Sequence, residues 1–489
     1  MTTRSLFWPR CRAQLEVVFD GRGARNSIPY HIEVDPHSAS VGLNGFYEAD
    51  TWDLEFDAKL LPFDPDQIAY CAVRIYLWDS QKNLQGQEWA TDENLMVKGL
   101  LDDGQVMLVG EESRIKFTGR DYTALLADAE WDPKQKVPSG RPLDETVQEI
   151  ADLAAPPGTR ARFAVEWRGE DEPPICGGLH RSTKKKGLWV KPGKSYWDVI
   201  WDLCIQHAYV VHIEGSLIVI DEPVTQTKQT LRDAPRLVYG KHLTSLEIRR
   251  KFARETVPQI VIVSYDPKTG KRVETKFPEK RNSEYKVSAQ REEGTPRDAL
   301  GIPLVAKKDE QMFFPPPEGV VDPKALKRYA RMRFYHLGRG ETTYTMETSH
   351  LWIPSYLSPV IRADAVSGGT TSVQGYASDV NLLRLRPGNA IGIAFDPFNE
   401  SVLRGIKDVG KRTEYIVSLG YAQKMAAFIS ANFERMELFK QNYYYNRGQI
   451  DYSVDDGVEI KIEAVNFAGE VQAIQFAETS ADVDAITSA

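Results

Sequence analysis

The 489-residue chain is 42% hydrophobic, 10% aromatic and 27% charged, a globular composition far from that of disordered chains. Its length exceeds what one core serves, so three or four domains are expected. The 61 Lys and Arg against 69 Asp and Glu give a formal charge of -8 without a long single-sign block, which argues against free nucleic acid as a target.

The short runs Lys184-Lys185-Lys186 and Arg249-Arg250-Lys251 read as solvated loop or strand-end charges. Cys11, Cys71, Cys176 and Cys204 lie far apart, with no C-x-x-C pair and no histidine at zinc-ligand spacing, so they read as isolated buried thiols. The first residues, MTTRSLFWPRCRAQ, lack an apolar secretory core, and no window of about eighteen apolar residues occurs. A soluble chain made in a cytosol, with no membrane anchor, is expected.

From the N-terminus, runs at 15–19, 28–34, 52–59, 69–78, 106–109 and 114–118 are separated by Gly, Pro and Asp turns, the spacing of a barrel or sandwich. Within them W-D-L-E-F at 52–56 alternates as a strand with one wet face. A first domain is expected to end near Trp131. Pro142 can then open a helix with Asp144 and Glu145 in its first turn, and Leu143, Val147, Ile150, Ala151 and Ala154 share one face. Pro156-Pro157-Gly158 ends it, and 161–167 reads as a strand.

Ser195 and Asp198 form a capping-box-like pair before Trp197, Ile200, Trp201, Cys204 and Ala208 at helical spacing. The runs 209–213 and 217–220 then make a hairpin around Glu214-Gly215-Ser216. Strands return at 260–265 and 272–277, joined through a turn in which Gly270 supplies a positive φ. Residues 278–321, proline-rich at Pro315-Pro316-Pro317, read as a linker.

Asp322 and Pro323 start a helix with Leu326, Ala330, Phe334 and Leu337 on one face, closed by Gly338. Strands at 342–352, 382–385 and 390–395 follow, then a helix near 422–440 and strands near 450–454 and 458–465. A frayed end is expected after Thr479.

Catalytic signatures are missing. The sequence has no phosphate-binding G-x-x-x-x-G-K-[ST] loop, no dinucleotide fingerprint after Gly21-Arg22-Gly23, no G-x-S-x-G elbow and no H-E-x-x-H helix. His207 and His212 fall on a helix end and a strand and read as structural. The run at 396–400 offers oxygen ligands without the spacing of a calcium loop. Carboxylate pairs such as Asp102-Asp103 and Glu111-Glu112 could serve glycoside hydrolysis but are common by chance here. Trp167, Trp189, Trp197 and Trp201 could stack on sugars, although core packing accounts for them better. No catalytic residue, cofactor or metal site is expected, and the chain does not read as an enzyme.

The phrase Gly119-Arg120-Asp121-Tyr122, running on through Leu125, Leu126 and Asp128, is similar to the close of the first barrel in the baseplate hub family of phage tails. That family includes late-control hub proteins and the hub half of type VI secretion spikes. Gly193-Lys194-Ser195-Tyr196-Trp197-Asp198 with its hairpin resembles the family's inserted domain. Leu237-Val238-Tyr239-Gly240, the helix before the second barrel and Leu385-Arg386-Pro387-Gly388 are similar in the same order.

The resemblance implies an α+β, mainly β architecture with two tube-like β-barrel domains. Residues 1–130 would form the first, 131–228 an inserted α+β domain of two helix-strand units, 229–410 the second barrel with its linker, and 411–489 a C-terminal helix-strand extension. It also implies a homotrimer in the baseplate of a virion tail, touching tail tube protein, central spike protein and other baseplate proteins. Genome DNA would pass along its lumen without specific binding. The other readings are a tail-borne cell-wall or polysaccharide hydrolase and a carbohydrate-binding adhesin.

Overall fold

The computed structural model describes residues 9–19, 29–79 except 46 and 64, 89–154 except 110–111, 133, 136 and 138–139, then 163–169, 172–176, 190, 193–221, 236–238, 242–250, 259–265, 269–277, 312–314, 323–338, 342–354, 360–363, 370–373, 379–386, 388–394, 400–418, 421–437 and 442–466. Most of the expected linker and the expected frayed end lie outside these residues.

Seven antiparallel strands come first: β1 (Pro9–Phe19), β2 (Tyr30–Val34), β3 (Ser38–Leu43), β4 (Thr51–Asp57), β5 (Ile68–Asp79), β6 (Leu95–Val109) and β7 (Glu112–Asp121). In β4, Trp52, Leu54 and Phe56 are buried while Asp53 and Glu55 face out. The strand stops at Asp57, whose Oδ1 accepts the Lys59 N–H and starts a 3₁₀ turn at Ala58–Leu60, where the sequence suggested two more strand residues. Strand β3, SASVGL, has too little apolar bulk to announce itself.

The inserted region holds α1 (Thr123–Asp128), α2 (Leu143–Ala154), β8 (Ala164–Trp167), α3 (Tyr196–Gln206), β9 (Val210–Glu214) and β10 (Leu217–Asp221). The order in its sheet is β9-β10-β8, with β8 and β10 parallel. Both helices bury their apolar faces with Tyr122, Leu126 and Trp131 in one core, so the residues just after β7 already belong to it. All four cysteines are buried free thiols, and Cys176 and Cys204 share this core.

Next come β11 (Arg236–Val238), β12 (Leu243–Arg250), β13 (Ile260–Tyr265), β14 (Arg272–Phe277), β15 (Met312–Phe314), α4 (Pro323–Gly338), β16 (Thr342–Thr348) and β17 (Ala390–Ala394). Gly270, in the turn between β13 and β14, has φ 65°, as its sequence position requires. The expected strand at 382–385 is instead a 3₁₀ turn, Leu382–Arg384, after a short strand at Asp379–Asn381. The Asn381 side chain accepts the Leu383 N–H and turns the chain, while Leu382 and Leu383 are buried.

Helices α5 (Glu400–Gly405), α6 (Val409–Ser418) and α7 (Gln423–Glu437) precede β18 (Asn442–Ser453) and β19 (Gly457–Asn466). The apolar periodicity had shown only α7.

One 13-stranded sheet organises the molecule, in the order β12-β16-β19-β18-β3-β4-β7-β6-β5-β1-β2, with β11 and β17 joined at β18. The C-terminal hairpin stands in its middle, because β18 pairs with β3 from Gly448↔Leu43 to Ser453↔Ser38 while β19 pairs with β16. A single core follows the sheet, running from Leu15, Trp52 and Phe117 to Leu403, Ile429 and Phe433.

Candidate functional site

Gly119, Arg120 and Asp121 are the last residues of β7, in extended backbone. A methyl group on Gly119 would lie 1.9 Å from the Leu100 carbonyl oxygen and 2.4 Å from the Trp52 ring. The glycine is therefore required by the close approach of both the β6 backbone and the Trp52 indole, whose Nε1 donates to the Arg120 carbonyl at 3.3 Å. Opposite, the register of β6 slips between Leu101 and Asp103, and the extra residue, Asp102, is aimed at Arg120.

Arg120 donates to Asp102 at 2.6 and 3.0 Å and to Asp128 of α1 at 2.7 and 3.0 Å. Those two hydrogen-bonded carboxylates raise its pKa further. Asp121 is buried and accepts the Thr123 N–H at 3.1 Å and the Thr123 hydroxyl at 3.0 Å, setting the start of α1. Burial, then the neighbouring Asp50, pushes its pKa well up. Tyr122 lies in the inserted core with the Lys98 ammonium 5.1 Å from its ring centre.

The loop between β3 and β4 reaches the inserted region from the other side. Tyr47 donates its hydroxyl to Asp198 Oδ1 at 2.5 Å, its ring meets Trp201 edge-on at 5.2 Å, and its carbonyl accepts from Trp197 Nε1 at 2.8 Å. Asp198 also closes a reciprocal capping box with Ser195, so one carboxylate both starts α3 and holds the loop. Tyr47 is pushed up to about 12, chiefly by that bond to Asp198.

At the loop's base Asp50 Oδ1 accepts the Asn44 N–H at 2.7 Å. Glu48 meets Arg447 of β18 at 3.5 Å. Gly388, at φ 96°, donates its N–H to the Tyr445 carbonyl at 2.7 Å. Three regions thus meet around residues 44–50. Ser195, Trp197 and Asp198 come together with Tyr47 here, and Asp121 with Asp50. Tyr47 and Asp50 belong to no local pattern, because the partners that matter to them, Asp198 and Asp121, are distant in the chain. Gly240 and Pro387 lie outside the described residues.

On the outward face of the sheet, Asp53 stands opposite Ser40, Ser40 opposite Asp451, and Asp451 opposite Glu459. This row, with Glu55 and Asp456, lines a groove of about 540 Å³. Lys116 approaches Asp53 at 3.6 Å and Arg114 holds Glu55 at 2.8 Å. His207 caps α3 and His212 lies in β9. Trp197 is buried, and Trp167 packs against Tyr209 at 4.6 Å. Glu111, Trp189 and 396–399 lie outside the described residues. Among the described residues, no group of three or more His, Cys, Asp or Glu side chains is placed to hold a metal ion, and no helix is long and apolar enough to cross a membrane.

No family model and no curated protein matches the chain. Among solved structures it is similar to a tail protein from Neisseria meningitidis, with 11% identity over 94% of this chain and 98% of that one at a TM-score of 0.49. It is also similar to a prophage 43 kDa tail protein from Shewanella oneidensis, with 11% identity over 95% and 99% of the two chains and a TM-score of 0.48. A third is a component of the type VI secretion system of E. coli, with 9% identity, coverage of 89% and 75% and a TM-score of 0.41. Likeness of this degree decides neither an activity nor an assembly.

Proposed function

We propose that the chain is a non-enzymatic hub of a phage-type tail, joining the tail tube to the central spike. The supporting observation is the wide sheet shared by the N-terminal, second and C-terminal regions, whose wet face carries hydroxyls and carboxylates in register. Lys116, Arg114 and Lys461 partly neutralise these carboxylates, and the mildly acidic face that results suits a wall along which a genome slides without sticking. In this reading the sheet belongs to two tube-like barrels per chain, one from 1–130 and one from 229–410 completed by the C-terminal hairpin, and three copies form the ring. The chain then sits in the baseplate of the virion, with tube, spike and other baseplate proteins as partners.

Light scattering at micromolar concentration tests this, alone and with the spike protein of the same tail. A trimer in either condition is expected, and a monomer in both sinks the proposal. The carboxylate-lined groove is the one observation that favours a polysaccharide hydrolase instead. Zymography on peptidoglycan decides between them: a cleared zone lost in Asp451→Asn or Glu459→Gln would establish the hydrolase.

A further inference from the structure

Strand β6 outruns its neighbour on one side. Its pairing with β5 ends at Leu100↔Ala72, whereas its pairing with β7 runs on to Val109↔Glu112, so from Leu101 onward one edge of β6 has no strand beside it among the described residues. Gly104 donates its N–H to Asp103 Oδ1 at 2.8 Å and so turns it away from β7. In an antiparallel ladder the backbone groups of alternate residues point the same way, so Val106 and Leu108 also aim N–H and C=O at the open edge. Both are exposed apolar residues, Val106 at 57% and Leu108 at 84%, on the face that Ile115 and Phe117 bury further down the hairpin. The outermost strands of the sheet are guarded by exposed polar groups, His31 and Glu33 on β2 and Glu247 and Arg249 on β12. From Gly104 to Leu108, G-Q-V-M-L, β6 carries no charge, no proline and no bulge.

We infer that this edge is a docking site for a second copy of the chain, paired antiparallel across a two-fold axis at Val106. The missing charge selects the occupant. An uncharged edge of unpaired N–H and C=O groups with alternate apolar side chains fits an extended strand of the same kind, and the chain's own copy supplies one with no like charges opposed between Gly104 and Leu108. In that register each Val106 exchanges both backbone bonds with its copy, and each Leu108 N–H reaches the other Gly104 carbonyl, leaving the Asp103 bond intact. The Leu108 side chain then lies over a residue that has none. An edge this short buries less than the roughly 1,200 Å² of a specific stable interface, so pairing needs a high protein concentration. Each chain spends its one such edge in the pair, so association stops there. The contact is separate from the ring proposed above and holds whether or not that ring forms.

Sedimentation equilibrium of the full chain, from about 5 to about 300 µM, tests it. Wild-type mass is expected to rise about twofold over this range, from whatever assembly stands at the low end, and then to level off. Leu108→Lys sets two like charges along the shared edge, and Val106→Pro removes an N–H that β7 does not use. Both variants are expected to keep the low-concentration mass throughout and to melt with the wild type. A wild-type mass that stays flat, one that climbs past twofold, or a rise that persists in Leu108→Lys overturns the pairing.

Discussion

The 44–50 loop grips the start of α3 mainly through hydrogen bonds, whereas α4 meets the residues just past the end of the same helix mainly through an apolar cluster, with the Arg328 guanidinium 4.9 Å from the Tyr209 ring centre. At the loop, Tyr47 makes two directed contacts, one with Asp198 and one with Trp197. At α4, Leu326, Tyr329 and Ala330 bury Ala208 together with Ile260 and Ile262. Contacts of the first kind are lost one hydrogen bond at a time and respond to charge. Those of the second are non-directional and scale with the area covered. The titrating groups sharpen the contrast, because they carry opposite signs. Asp50 near the loop favours acid, while burial, with Arg328 adding, lowers His207 at the α4 end to about 4.

The apolar end should break hardest. Leu326→Ala removes a fully buried side chain, and urea unfolding should show a loss of about 3 kcal/mol. A loss below about 1 kcal/mol would mean that α4 adds little to this junction. Acid comes next. His207 is depressed on folding, so its contribution is complete above 6.5 and falls away as pH drops through about 4. About 2 kcal/mol should be lost across that window, allowing for partial solvation, and His207→Gln should flatten the slope.

Tyr47→Phe deletes the bond to Asp198 while leaving the ring on Trp201, so a loss of about 1 kcal/mol is expected in the same assay. Smallest is Ala208→Gly. Ala208 sits at φ 64°, where a side chain is strained, so glycine should gain about 1 kcal/mol there. The buried methyl and the added chain entropy offset that by about the same amount. The midpoint should hardly move, and a large loss would show that the methyl's packing against α4 outweighs the strain.

Much of the fold was legible because periodicity reports faces. W-D-L-E-F, the helix from Leu143 and the Ser195–Asp198 box all read correctly from local spacing. Strand β3 and the 3₁₀ turn at Leu382–Arg384 did not, since a small-residue strand and an Asn-capped turn have weak apolar signals. The Gly119–Tyr122 phrase was visible as a motif, but its reason, the Trp52 indole lying across the sheet, is a contact between strands that no local pattern contains. Tyr47, Asp50 and the Asp53–Ser40–Asp451–Glu459 row stayed hidden because pairing across distant strands assembles them.

The central place of the C-terminal hairpin sets an order of events during synthesis. Glu48 and Arg447, which meet beside β3 and β18, are 399 residues apart in the chain. At about 5–20 residues per second, β18 leaves the ribosome roughly 20–80 s after β3. Until then β3 has β4 on one side and an open edge on the other, the kind of edge that invites another chain. The nascent protein therefore needs either a holding chaperone or slow collapse of its first strands, and translation stalled before Asn442 would leave that edge bare.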